Sequence, residues 1–259
     1  MDSPRDELTK LLRSLNLASM AAAVEDTALR AAKEGLTHEE FLLELVRAEH
    51  ASKHARRIER LLKQSELLPG KTFRSLDLGR FNPTIRMQVE RLRSGTFLQD
   101  AINVVAVGRP GSGKSHLACA LGHALVDQGK PVLFTPTGVL VQRLLVAKRD
   151  LRLPQELAKL DRFDCLILDD IGYVQHDRDE MEVLFTLLAE RYERKSVVIT
   201  TNLVFSEWNR IFKDPMTTMA AIDRVVHHSV VLDLMAVESY RAEVAEAKTK
   251  LRVAEKASL

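Results

Sequence analysis

The chain has 259 residues, a formal net charge of +2, 46% hydrophobic and 29% charged residues, which is the make-up of a globular protein of one or two domains. No apolar run approaches the ~18 residues of a membrane span. The opening Met1-Asp2-Ser3-Pro4-Arg5-Asp6-Glu7 holds no apolar signal-peptide core, so a cytoplasmic protein that does not engage a membrane is expected. Cys119 and Cys165 are the only cysteines and read as buried thiols, not as a disulfide or a metal pair.

Leu8, Leu11, Leu12 and Leu15 recur at i, i+3, i+4 and i+7, one face of a helix. Leu17, Met20 and Val24 continue an apolar face in a second, short helix. Thr37-His38-Glu39-Glu40 is a capping-box pattern with Thr37 as N-cap, and the helix it opens is expected to turn Phe41, Leu42, Leu45 and Val46 inward. Its second half changes character: Arg47, Lys53, Arg56, Arg57, Arg60 and Lys63 crowd it, with His50 and His54 between them. Residues 1–46 hold five basic against nine acidic residues, whereas residues 47–93 hold twelve against five. Such a basic face fits DNA phosphates; it equally fits a solvated helix surface partnered by Glu49 and Glu59. Residues 1–68 are therefore expected to form a small all-helical domain that binds DNA or a protein partner. The Leu68-Pro69-Gly70-Lys71 turn marks its boundary with a second domain over 69–240, and 241–259 reads as a charged helical tail.

In the second domain, residues 73–82 lead to a helix that Pro83 would open, and Phe81 and Pro83 lie either near a bound base or in plain core. The apolar run 102–107 has the length of a buried strand. Directly after it, Gly108-Arg109-Pro110-Gly111-Ser112-Gly113-Lys114-Ser115 fits G-x-x-x-x-G-K-[ST], the Walker A phosphate loop. Glycines let the backbone curl until several N–H groups face one anion, and the helix that starts there, with His116 in its first turn, adds its dipole. Lys114 would reach the β- and γ-phosphates of ATP, and the Ser115 hydroxyl would ligate Mg²⁺.

Residues 131–135 read as a second strand and 137–149 as a helix, followed by Lys148, Arg149 and Arg152, which either line a DNA channel or are simply exposed. Phe163-Asp164-Cys165-Leu166-Ile167-Leu168-Asp169-Asp170 is a third strand ending in two carboxylates, where an open parallel sheet presents its ligand crevice. This fits Walker B, with Asp169 in the Mg²⁺ shell and Asp170 orienting and deprotonating the attacking water. Residues 179–194 read as an amphipathic helix and 196–202 as a fourth strand whose Asn202 would help place that water. Ser206 looks like an N-cap, 220–228 like a helix and 229–234 like a fifth strand. Arg224 is a candidate arginine finger acting on a neighbouring subunit, or else an ion-pair partner of Asp223.

These landmarks, with Ile171-Gly172 after the acidic pair, the Asp223-Arg224-Val225-Val226-His227-His228 block and the late Ser239-Tyr240-Arg241, resemble the IstB family of insertion-sequence helper ATPases. That family is close to the DnaC helicase loaders and DnaA initiators. The resemblance implies an α/β AAA+ P-loop ATPase fold, with a five-stranded parallel sheet and a helical front domain. It implies hydrolysis of ATP with Mg²⁺, a homo-oligomer on double-stranded DNA with ATP at subunit interfaces, a trans role for Arg224, and assistance to the transposase of the same element. A DnaC-like helicase loader is the alternative, and a nucleotide-switched DNA adaptor with negligible turnover is a further one. Asp169-Asp170 departs from the Asp-Glu common among AAA+ proteins by one methylene in the second side chain.

Overall fold

A computed structural model describes residues 3–172, 178–212 and 215–240, so the expected tail over 241–259 lies outside the described residues. The chain divides into two compact units, Met1–Arg60 and Leu61–Leu259. The first holds α1 (Pro4–Ser14), α2 (Ala18–Glu34) and all but the last four residues of α3 (His38–Gln64). Local sequence sets their ends. Ser3 caps α1 in a capping box with Asp6, and Gly35, with φ 70°, ends α2 in the left-handed conformation. Thr37 and Glu40 form the box expected for α3, the Glu40 carboxylate accepting the Thr37 N–H at 2.8 Å and the Thr37 hydroxyl accepting the Glu40 N–H at 3.2 Å.

The core of this unit is narrower than the apolar spacing predicts. Leu12, Met20, Ala21, Val24 and Leu45 are buried together. Leu8, Leu11 and Leu15 stay exposed, and so do Leu42 and Val46 on α3. The reason is geometric: α1 packs against α2, and one neighbouring helix covers only a stripe of about one residue per turn. Helix α2 also runs longer than expected, to 17 residues. Its N-cap position is Leu17, which offers no side-chain acceptor. Glu49 of α3 fills that need from outside, its buried carboxylate accepting the N–H groups of Ser19 at 2.8 Å and Met20 at 3.1 Å, with Lys53 and Arg56 each 3.6 Å away.

The second unit is built on one parallel sheet: β1 (Asn103–Val107), β2 (Val132–Pro136), β3 (Cys165–Asp169), β4 (Ser196–Thr201) and β5 (Ser229–Asp233), in the spatial order β2-β3-β4-β1-β5. The strands are continuous apolar runs because both faces are covered. Val105, Val107, Leu166, Leu168, Val197 and Ile199 join one cluster with α6 (Thr137–Arg149), α8 (Arg178–Arg191) and α10 (Pro215–Val226). The alternate residue Ile167 turns to the other face, against α5 (Lys114–Asp127). Helix α4 (Pro83–Arg93) begins with Pro83 after the Asn82 cap, as the sequence predicts.

Three elements differ from expectation. Helix α7 (Leu153–Leu160) is additional, and its signal was Leu153, Leu157 and Leu160 at helical spacing with Pro154 in the first turn. Ser206 is not an N-cap; it lies inside a 3-10 turn, Phe205–Glu207, that delivers Trp208 into the core beside the Phe205 ring, ahead of α9 (Asn209–Phe212). Helix α10 starts at Pro215 and ends at Val226, so His227 and His228 fall beyond it. Cys119 and Cys165 are buried free thiols, and burial pushes Cys165 up to about 12. Among the described residues no helix is long and apolar enough to cross a membrane, and no cluster of His, Cys, Asp and Glu is arranged to hold a metal by itself.

Burial alone would raise the pKa of Glu49, but the Met20 and Ser19 N–H groups and Lys53 outweigh it and hold the carboxyl below the ordinary glutamate value. A depressed folded pKa gives stability that is present above the unfolded value and lost as pH falls through the folded one. Amide protection of Ser19 and Met20 should therefore fall several-fold between about pH 6 and about pH 3. Glu49→Gln should lower that protection at neutral pH and flatten its pH dependence, as read by hydrogen exchange; unchanged protection in the variant would show that α2 does not depend on this cap.

Candidate functional site

The carboxyl ends of β1, β4 and β3 lie side by side because β4 is inserted between the two strands that carry the motifs. Val107 pairs with Thr201 in register, and the Gly108 N–H donates to Thr201 O at 3.0 Å, which fixes where the phosphate loop leaves the sheet. The loop then turns through Gly111 and Gly113, with φ of 85° and 96°, angles that L side chains rarely adopt. Gly113 is the N-cap of α5 and supplies no side-chain acceptor, so the first-turn N–H groups of a 14-residue helix face the loop without a capping group. A Cβ on Gly113 would meet the Phe81 ring at 3.7 Å, and one on Gly111 would strike the Ser239 hydroxyl at 2.1 Å. At Gly111 there is no room for a side chain, whereas at Gly113 it is the positive φ, not space, that favours glycine.

Lys114 is nearly buried, and its ammonium donates to Gly108 O at 2.7 Å and Arg109 O at 3.0 Å. A phosphate oxygen would offer it a negatively charged acceptor in place of these neutral carbonyls. Arg109 and Pro110 are exposed, and Ser112 is buried with its hydroxyl oxygen making no hydrogen bond. Ser115 sits half-buried in the first turn of α5. His116 points away from the loop: its Nε2 is 3.0 Å from the Ser75 hydroxyl and 3.2 Å from Thr72 O, and burial lowers its pKa, so it anchors the preceding segment as a neutral ring.

On the other side of β4, one hydroxyl organises the acidic pair. Thr200 Oγ1 donates to Asp169 Oδ1 at 2.6 Å and accepts the Asp170 N–H at 2.9 Å, while Thr200 O accepts the Ile171 N–H at 3.0 Å. Thr137 adds a bond to Asp169 O at 2.9 Å. Asp170 is thereby held at φ 61°, a left-handed conformation that Asp tolerates better than most residues. Asn202 follows β4, and its Oδ1 is buried without a hydrogen-bond partner, 2.8 Å from where a Cβ on Gly172 would stand. The sequence places Thr200 in the fourth strand without a task; a Thr at the end of the strand that separates the two motifs is the available signal.

Arg224 does not form the ion pair with Asp223 that is its intramolecular alternative. Its guanidinium carbon lies 4.6 Å from the centre of the Phe185 ring, Nη1 is buried without a hydrogen bond, and it makes no ion pair with Asp223 or any other described residue. Lys148 is bound at 3.0 Å by both Asp179 and Glu182, so of the three basic residues near the end of α6 it is a structural one. A cleft of about 430 Å³ between α7 and α8, lined by Leu153, Leu157, Thr186 and Arg194, contains none of the motif residues.

The cradle, the uncapped helix, the displaced lysine and the paired carboxylates fit a nucleoside triphosphate with its divalent cation. The comparisons agree. Residues 10–248 match the model of the IstB-like ATP binding protein family. An insertion sequence ATP-binding protein of Sinorhizobium fredii is 45% identical over 92% of this chain and 80% of its own length. The insertion sequence IS21 ATP-binding protein of Pseudomonas aeruginosa is 39% identical over 91% and 88%. Among solved structures, AMPPCP-bound DnaA from Aquifex aeolicus matches with TM-score 0.57 at 16% identity, over 72% of this chain but only 56% of DnaA. DnaI matches with TM-score 0.55 at 17% identity, over 66% and 96%. These likenesses show the AAA+ P-loop fold, and the family match together with the two relatives shows that the chain belongs to the IstB-like ATP-binding proteins.

Proposed function

We propose that the protein hydrolyses ATP, and that its nucleotide state governs assembly on double-stranded DNA in support of the transposase of the same insertion sequence. The observation that carries hydrolysis is the meeting of a phosphate cradle, two carboxylates and an unpartnered amide oxygen at three adjacent strand ends. Lys114 would exchange its loop carbonyls for the β- and γ-phosphates. Ser115 and Asp169 would hold Mg²⁺, which neutralises phosphate charge. Asp170 would orient the attacking water and accept its proton, with Asn202 fixing the same water from β4. Arg224 would serve the site of a neighbouring copy. Leaving Phe185 forfeits only a cation–π contact of about 0.5–2 kcal/mol, and no ion pair must break.

DNA binding is supported by the second half of α3, where Arg47, Lys53, Arg56, Arg57, Arg60 and Lys63 are exposed, Lys53 and Arg56 also approaching Glu49. The role beside a transposase is supported by the names of the relatives, which belong to insertion sequences. Binding that favours one oligomeric state shifts the population toward it by mass action, which is how ATP would drive assembly.

Lys114→Ala should weaken ATP binding roughly tenfold to a hundredfold. Asp170→Asn should bind ATP within about threefold of wild type and lose about 100-fold or more in turnover. Phosphate release with and without duplex, and sedimentation at saturating ATP, measure both; wild-type turnover by Asp170→Asn, or a monomer in ATP and duplex together, overturns this reading.

Arg224→Ala should bind ATP normally and lose roughly 1,000-fold in turnover. Mixing it with Lys114→Ala subunits should restore part of the activity, because one partner keeps an intact phosphate loop and the other an intact finger. Absence of rescue across mixing ratios places Arg224 outside any shared site.

Thr200→Val keeps the strand's shape but leaves the Asp170 N–H without its acceptor, at a cost of about 1–3 kcal/mol against the ~5–15 kcal/mol of a typical domain. The fold should survive, while turnover falls and the Mg²⁺ concentration for half-maximal rate rises, as measured by titration of phosphate release. An unaltered Mg²⁺ requirement removes Thr200 from the positioning of Asp169.

A further inference from the structure

Two chain segments close on the phosphate loop from outside, one before the sheet and one after it. The earlier one brings Phe81, buried, against Gly113. The later one leaves β5 with the Leu234 N–H donating to Val107 O at 2.7 Å, passes under Gly108, and reaches Gly111, whose carbonyl accepts the Tyr240 N–H at 3.1 Å. Its Ser239 side chain occupies the space that any side chain on Gly111 would need. One residue ties the two segments together. The Arg80 guanidinium donates to Glu238 O at 3.0 Å and lies 5.4 Å from the centre of the Tyr240 ring.

We infer that Arg80 is a positioning residue that clasps the Glu238–Tyr240 segment onto the phosphate loop, so that arrival of a nucleoside triphosphate is felt at the Tyr240 backbone. The inference rests on the nucleotide reading above. Three carbonyls of the loop take part in these contacts. Lys114 holds two of those carbonyls, Gly108 O and Arg109 O, and Tyr240 holds a third, Gly111 O. Phosphate draws Lys114 inward and releases its two carbonyls. The loop that it orders from inside then presents Gly111 O to Tyr240 more firmly, provided Arg80 keeps Tyr240 in place. A planar guanidinium suits this task because it donates in its plane and stacks on its face, which an ammonium cannot do together.

The test is hydrogen exchange at Tyr240, read beside the affinity for ATP with Mg²⁺, on the full chain. In wild-type protein, ATP should slow exchange of the Tyr240 amide several-fold. Arg80→Ala should speed it roughly tenfold without nucleotide, abolish the response to ATP, and raise the Kd for ATP roughly tenfold. Arg80→Lys, which keeps a donor for Glu238 O and gives up the planar stack, should fall between. Trp208, buried and the chain's single tryptophan, reports folding by fluorescence; if Arg80→Ala disturbs it, Tyr240→Leu carries the same test by removing the stacked ring. Wild-type exchange at Tyr240 in the folded variants without nucleotide overturns the clasp. A Tyr240 amide that ignores ATP while ATP binds overturns the coupling. A wild-type chain that binds no ATP defeats the nucleotide reading and the coupling with it, and leaves the clasp to be judged from the exchange measured without nucleotide.

Discussion

The insertion of β4 between β1 and β3 is the constraint on which the site depends. A strand at that place must offer bonding partners to both motif strands along its whole length, and at its end it does so with backbone and side chain together. Thr201 faces the start of the phosphate loop through its carbonyl, and Thr200 faces the acidic pair through its hydroxyl. Two consecutive residues on a strand point to opposite faces while their backbone groups point to opposite neighbours, so a Thr-Thr-Asn ending can serve both sides at once. Thr200 is fully buried, which makes its bonds to Asp169 and Asp170 stronger and their loss costlier than at a surface.

The same insertion explains what could be read in the sequence and what could not. The five strands, the phosphate loop and the acidic pair were legible because each is a contiguous pattern: an apolar run, glycines at fixed offsets before Lys114, two carboxylates at the end of a run. The bridging role of Thr200 was not, since it needs the spatial order of strands, and residues 169 and 200 are neighbours only because the chain returns between two strands it has already laid down. Arg80 and Tyr240 are farther apart still in sequence. Helix α7 is legible too: Leu153, Leu157 and Leu160 carry its period. The exposure of Leu8, Leu11, Leu15, Leu42 and Val46 was not legible, because periodicity identifies an apolar stripe but not how many neighbours cover it. Ser206 misled because a good capping residue was outweighed by the burial of Trp208 two positions on.

The helical unit shows a different economy. Its core is five residues wide, and a core that small leaves little surplus over the entropy of ordering three helices. The Glu49 carboxylate compensates in part by capping a helix that has no cap of its own, and the Met20 and Ser19 N–H groups, with Lys53 beside them, keep that carboxylate charged. Lys53 and Arg56, each 3.6 Å from it, are drawn into the unit's own architecture. All six basic residues of the second half of α3 stay exposed nonetheless, Lys53 and Arg56 included, so the whole row is presented to a polyanion.

Nucleotide affinity in such a site is a difference, not a sum. The ammonium of Lys114 already has two carbonyl partners, so phosphate gains only the excess of a charge-assisted bond over two neutral-acceptor bonds. That excess is small for one residue and is enlarged only by groups that have no partner until the nucleotide arrives. Asn202 Oδ1, Ser112 Oγ and Arg224 Nη1 are the buried atoms of the motifs that make no hydrogen bond in the described structure, and the first two sit at the strand ends and the loop where phosphate and water would stand. Arg224 lies on α10 against α8, on a cation–π contact that is easily exchanged. Were Arg224 to complete the pocket of another copy, as proposed above, the ligand would bind best with that copy present and by linkage would strengthen the contact between copies by the same factor.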